Sequence, residues 1–152
     1  MTAINKWIEP PAMDTGAPMP AIQVNDSGLF VAYIVSEPSL DGKLEEYAVV
    51  QFNNVLQHTF GYPNDEALGM HPLYKFGLAF YAFNEVINSP YVADIANRND
   101  KQFPGSKERY LKFRHWVVTF HDETLEVVGL SAKVIGTIEA ASGDAAISSL
   151  NT

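Results

Sequence analysis

The chain contains no cysteine. Disulfides, thiolate nucleophiles and cysteine-ligated metal sites are therefore excluded. No apolar run approaches the ~20 residues needed to cross a bilayer, and the opening MTAINKWIEPPAMD lacks the charged-then-apolar layout of a secretory leader. The expectation is a cytoplasmic protein with no membrane partner. Basic residues are scarce, with 10 Lys and Arg against 18 Asp and Glu and a net charge of -8. An acidic surface repels phosphate backbones, so nucleic acid is not an expected partner. One basic cluster, Lys107, Arg109, Lys112 and Arg114, is explained as a solvated lead into a strand.

Catalytic and cofactor signatures are missing too. There is no G-x-S-x-G, no G-x-x-x-x-G-K-[ST], no G-x-G-x-x-G and no H-E-x-x-H. The histidines, His58, His71, His115 and His121, stand too far apart for a short-spaced metal motif. No cofactor and no metal is expected, and any metal site would have to be assembled by the fold. Internal repeats and domain linkers are not visible.

What is present is an ordinary globular composition, 47% apolar and 18% charged, in 152 residues. That length suits one domain with a substantial core. Residues 1–20 read as an extended, proline-rich segment anchored by Trp7 and Ile8, which should dock on the domain. Residues 21–138 read as the domain. Residues 139–152 form a small-residue tail, either a short helix after Asp144 or a loose end.

The most strongly patterned stretch is 112–130, KFRHWVVTFHDETLEVVGL. Trp116, Val118 and Phe120 alternate with His115, Val117, Thr119 and His121, the period of a strand with one strongly apolar face. A turn centred on Asp122 and Glu123 sets Phe120 opposite Leu125, Val118 opposite Val127 and Thr119 opposite Glu126. The bulk of both strands then shares a face, and a one-residue slip would undo it. Asp-Glu is not a favoured tight-turn pair, and a four-residue loop over 121–124 preserves the register.

Elsewhere the pattern predicts a strand at 21–24, a turn at 25–28 and, at 29–35, a strand covered on both faces. A loop follows over 37–43, then a long strand at 46–60, bulged or bent at Asn53 and Asn54. Residues 61–77 are irregular, with Asn64 capping a turn over 65–68 that Gly69 ends, and Pro72 and Gly77 bracketing another. Strand character returns at 78–86. Ser89 as N-cap and Pro90 at the first position open a helix whose apolar stripe is Val92, Ile95 and Ala96. A shorter helical turn spans 107–111, and 131–138 extends the last strand. The predicted fold is α+β: a curved, mostly antiparallel sheet of about five to seven strands, open or closed into a barrel, with one principal helix over 90–98.

Four polar or aromatic groups compete for chemistry. At the hairpin tip stand His121, Asp122 and Glu123, with Glu126 diagonal to His121. An imidazole beside carboxylates can act as a general base or bind a divalent metal. Asp122 joins only if the tip curls, since strand neighbours point to opposite faces; an exposed polar turn is the ordinary explanation. The irregular segment offers Asp65, Glu66 and His71 beside Asn64, which helix capping also explains. Glu85, Asn84, Asn88 and Ser89 are mostly explained by capping. Core packing explains Tyr74, Phe76, Phe80, Tyr81, Phe83 and Tyr91.

PNDEALGMHPLY, GLAFYAFNEVINSPYVADIANRN and KFRHWVVTFHDETLEV together resemble a family of small uncharacterised bacterial proteins. That pattern runs roughly P-N-D-E, then G-H-P-L-Y, a G-L-x-x-Y segment with E-V-x-x-S, and F-H-D-S-T-F-E. Met70 stands here in place of its Gly and Glu123 in place of its Ser. The resemblance implies no activity; it implies that His71 and residues 121–126 belong together.

Two functions are expected. The leading one is a non-enzymatic module binding a small molecule or a protein, with a homo-oligomer compatible, through an aromatic-lined cleft or an acidic face. Its candidate binding residues are His71, Tyr74, His121, Asp122, Glu126, Asp65 and Glu66. The alternative is a small hydrolase or metal-dependent enzyme in which His71, His121, Asp122 and Glu126 converge. Closeness of His71 and His121 inside a pocket discriminates between them.

Overall fold

A computed structural model describes residues 1–35 and 43–150. In chain order the described residues form β1 (Ala3–Trp7), β2 (Ala21–Asn25), β3 (Gly28–Ile34), β4 (Glu45–Asn53), β5 (Gln57–Gly61), β6 (Phe83–Ile87), α1 (Pro90–Gln102), α2 (Lys107–Leu111), β7 (Arg114–Thr119), β8 (Thr124–Gly129), β9 (Ser131–Ala140) and α3 (Gly143–Leu150). The strands make two antiparallel sheets, ordered β1-β6-β7-β8-β5 and β2-β3-β4-β9, and neither closes into a barrel. The fold is α+β as predicted, with the one expected sheet divided in two. None of the described helices is long and apolar enough to cross a membrane.

Period-two patterning explains the layers. Leu29, Val31, Tyr33, Val50 and Phe52 of the second sheet face Phe83, Trp116, Val118, Leu125 and Val127 of the first. The Phe52 and Trp116 rings meet edge-on at 5.2 Å. The alternate residues Phe30, Ala32, Ile34, Tyr47 and Val49 lie under α3, against Ala146 and Ile147. Val86 and Val117, on the outer face of the first sheet, lie under Leu68, Leu73 and Leu78 of the irregular segment. Residues 29–34 are thus covered on both faces, as their sequence predicts.

The β7–β8 hairpin buries the predicted face, but its register is displaced by two residues. Val118 pairs with Leu125, Trp116 with Val127, Thr119 with Thr124 and Val117 with Glu126. The loop is 120–123, closed by Phe120 N–H donating to Glu123 O at 3.0 Å. A slip of two leaves every side chain on its face, yet it moves Glu126 along the strand, opposite Val117.

Other expectations are corrected. The strand expected over 46–60 breaks after Asn53; Asn54 turns left-handed (φ 52°) and β5 joins the other sheet. Residues 131–140 do not extend β8 in its own sheet but pair with β4. Strand structure over 78–86 begins only at Phe83: Tyr81 turns left-handed (φ 53°), and the Ala79 and Ala82 N–H groups donate to the Asn84 and Thr119 side chains instead of to a neighbouring strand. The N-terminal segment contributes β1, paired with β6. Trp7 docks edge-on against Phe83 at 5.8 Å, whereas Ile8, at 81% exposed, does not dock. The tail resolves as α3, and α1 runs past 98 to Gln102. The loop expected over 37–43 lies, apart from Lys43, outside the described residues.

Candidate functional site

The outer face of the first sheet carries the site. Val117 lies opposite Glu126, and His115 opposite Val128, so these four side chains share that face. On the other side of β8, Thr59 lies opposite Glu126 and Gln57 opposite Val128. Residues 71–73 and the start of α1 complete a largely apolar cavity of about 460 Å³.

Polar bonds fix the irregular segment above this face. Thr124 Oγ1 donates to Pro63 O at 2.8 Å, and Thr119 Oγ1 to Ala79 O at 2.7 Å. Buried Asn84 donates to Val117 O at 3.0 Å and accepts from Ala79 N–H at 2.9 Å. Asn64 caps its turn as predicted, accepting from Ala67 N–H at 3.0 Å, but Gly69 does not end the helical run, which continues as a 3-10 turn over Leu68–Met70. Gly77, at φ 101°, ends the turn Tyr74–Phe76 in the left-handed region that favours glycine.

Glu126 is the centre of the hydrogen-bond network. Its Oε2 lies 2.8 Å from His71 Nε2 and its Oε1 3.1 Å from His115 Nε2. Leu73 N–H donates to His71 Nδ1 at 3.0 Å. An amide can only donate, so Nδ1 is the acceptor, and the neutral ring carries its proton on Nε2, pointed at Glu126. His115 Nδ1 lies 2.8 Å from Ser89 Oγ, which also accepts from Val92 N–H at 3.2 Å. The Ser89 hydroxyl donating to Nδ1 leaves His115 Nε2–H to donate to Glu126. Burial pushes the Glu126 carboxyl up, but the hydrogen bonds from His115 and His71, together with the charge those imidazoles carry when protonated, outweigh it and hold the group at about 2. Its side chain remains 31% exposed, open to the cavity.

Ser89 caps α1 as the sequence predicts, and it also orients His115. Across the cavity mouth the Tyr91 hydroxyl donates to Gln57 Oε1 at 2.6 Å, linking α1 to β5.

The remaining sequence candidates lie elsewhere. His121 Nδ1 sits 2.9 Å from Asp65 Oδ2, out of line for a hydrogen bond. Tyr81 donates to that same oxygen at 2.5 Å, and its ring stacks against His121. That hydroxyl, and then the nearby imidazole, hold the Asp65 carboxyl below the usual range, while the bond to Asp65 raises the Tyr81 phenol. Asp122 is 78% exposed, Glu66 is exposed, and Tyr74 packs edge-on against Phe80. The set His71, His121, Asp122 and Glu126 therefore does not converge: His71 and Glu126 meet, and the hairpin tip belongs to a second group with Asp65. The two-residue register displacement is the reason, since it carries Glu126 away from the tip.

His115 and Ser89 were absent from the predicted site. His115 reads as the polar position of an alternating strand. The available signal was parity: His115, Val117 and Thr119 share one face, which the irregular segment had to cover. Among the described residues no group of three His, Cys, Asp or Glu is placed to hold a metal ion. At His71, metal on Nε2 would need the lone pair there, while Leu73 N–H already occupies the one on Nδ1.

Comparison with known proteins finds no matching family model, no matching characterised sequence and no matching solved structure.

Proposed function

We propose that the protein is a binding module for a small molecule, seated in the cavity between β5, β8 and the start of α1. The observation that carries this reading is a formed, largely apolar cavity of about 460 Å³ with a carboxylate held by two imidazoles, Glu126, set into its wall. Small-molecule sites have this size and this mix of apolar wall and few polar groups. Acid–base chemistry at neutral pH needs a group poised near that pH. A carboxyl held well below the usual range by the groups bonded to it is a weak proton acceptor, and both nitrogens of each imidazole are engaged. Binding is therefore favoured over turnover.

One observation favours a second reading, a hydrolase. Ser89, His115 and Glu126 form a hydroxyl–imidazole–carboxylate chain of the kind that activates a nucleophile. Against it, the Ser89 hydroxyl is buried, caps α1 and does not line the cavity. Hydrolysis of 4-nitrophenyl acetate that disappears in Ser89→Ala would support this second reading.

A fragment screen by thermal shift tests the first, since a ligand that binds the folded state raises apparent stability. Hits should move the amide resonances of Thr59, Leu73 and Tyr91, and Thr59→Trp, which fills the cavity, should abolish them. Hits whose perturbations fall elsewhere, or that survive Thr59→Trp, overturn the assignment.

A further inference from the structure

Resting on the pocket reading above, we infer that the ligand is a cation, an ammonium or amidinium group carried on a small apolar body. The inference starts from the charges that face the cavity. Glu126 brings a full negative charge, and the two groups bonded to it are imidazoles, neutral in the hydrogen-bond pattern described. No Lys or Arg lines the cavity among the described residues. The rim adds Asp94, whose charge is taken up by Arg98 one turn along α1 at 2.9 Å, and an exposed His58. The α1 N-terminus contributes about half a positive charge at most, less than Glu126 supplies. The cavity is therefore negative.

Hydrogen bonding points the same way. An ionised carboxylate offers roughly four lone-pair directions. His71 takes one on Oε2 and His115 one on Oε1. The remaining directions, on a side chain that is 31% exposed, open toward the cavity. An ammonium donates there and compensates the charge as water is displaced. An anion is repelled, and a neutral apolar ligand strips water from the carboxylate while returning nothing. Tyr91, tied by its hydroxyl to Gln57, adds an aromatic ring to the same lining, a surface cations favour. The apolar remainder, including Leu73, Pro90 and Val128, suits a hydrocarbon body.

The test is a matched set, 2-phenylethylammonium, 2-phenylethanol and phenylacetate, titrated against the wild-type protein with binding read from the Thr59, Leu73 and Tyr91 amides. The ammonium should bind at least about tenfold more tightly than the alcohol, and phenylacetate more weakly than either. In Glu126→Gln the advantage of the ammonium should fall by about tenfold. Should that variant fail to fold, raising the pH above the amine's own pKa, ~10, should remove the preference in the wild-type protein. Equal affinity for ammonium and alcohol at these residues overturns the cation assignment and leaves the pocket reading intact. If no member of the set, and no fragment hit, perturbs these residues, the pocket reading itself fails.

Discussion

A carboxylate that accepts from two imidazoles responds to acid in a definite direction. The folded Glu126 sits at about 2 against an ordinary value of 4.5. Its pKa is depressed, so its contribution to stability is fully present above the unfolded value and is lost as pH falls from about 4.5 toward 2. The size is on the order of 2–3 kcal/mol after allowance for its partial exposure. Glu126→Gln should lower the urea midpoint at neutral pH and flatten its decline over that acid window. An unchanged acid slope would mean that the two imidazoles do not hold the carboxylate. At His71, the bond from Leu73 N–H should appear in ¹⁵N spectra of the neutral ring as a protonated Nε2 and an unprotonated Nδ1. The opposite tautomer would dismantle the described network. Gly28 belongs to this scale too: its φ is 130°, and a Cβ there would meet Phe52 O at 2.4 Å. Gly28→Ala should destabilise the β2–β3 turn by more than 1 kcal/mol or so, beyond the ordinary glycine-to-alanine gain, as read by thermal unfolding.

At the scale of elements, α1 depends on a residue with two duties. Ser89→Ala removes a cap, worth about 1 kcal/mol, and also leaves buried His115 Nδ1 without its partner, worth ~1–3 kcal/mol more. Ser89→Thr keeps the hydroxyl and should recover most of the loss; a loss of about 1 kcal/mol or less in Ser89→Ala would mean that the cap acts alone. The hairpin core is steeper. Phe120 is 1% exposed, and Phe120→Ala should cost ~3–5 kcal/mol in chemical denaturation. These elements also show what the sequence exposes and what it hides. Parity along β7 and β8 identifies the buried face because alternation survives any even displacement. It does not identify which cross-strand partner Glu126 has, because displacements of zero and two leave the same pattern. The helix start is legible from Ser89-Pro90, since cap chemistry is local. The pairing of His71 with Glu126 is legible only as a long irregular segment that needs a packing or functional reason, whereas His115 is hidden because a polar residue covered by a distant loop looks like one facing water.

At the scale of the molecule, α3 closes the fourth layer, so the apparently weak tail covers a large apolar face. Ile147 is fully buried against that face, and Ile147→Ala should cost ~2–5 kcal/mol. A chain ending at residue 142 should bind a hydrophobic dye and unfold at a lower temperature; unchanged melting would show that the second sheet stands without its cover. The division into two sheets is the part least legible in advance. Residues 46–60 carry apolar side chains on both sides of Asn53 and Asn54, and nothing in that alternation says that the chain changes sheets. The two crossings lie side by side. Asn53 pairs with Ser131, Leu130 N–H donates to Asn53 O at 3.0 Å, and Leu56 N–H to Val128 O at 2.8 Å. The ribbon made by β4 and β5 against β8 and β9 therefore bends as one hydrogen-bonded piece from sheet to sheet. Mechanically this corner is the spine of a book whose covers are the two sheets. The opposite margins, β1 and β2, are strapped together by the segment between them, which buries Met13 in the core and donates from Asp14 N–H to Ile34 O at 2.9 Å, and the spine cannot open without breaking both crossings together. In hydrogen exchange, the amides of Leu56 and Leu130 should be among the last to open, even though both side chains face solvent.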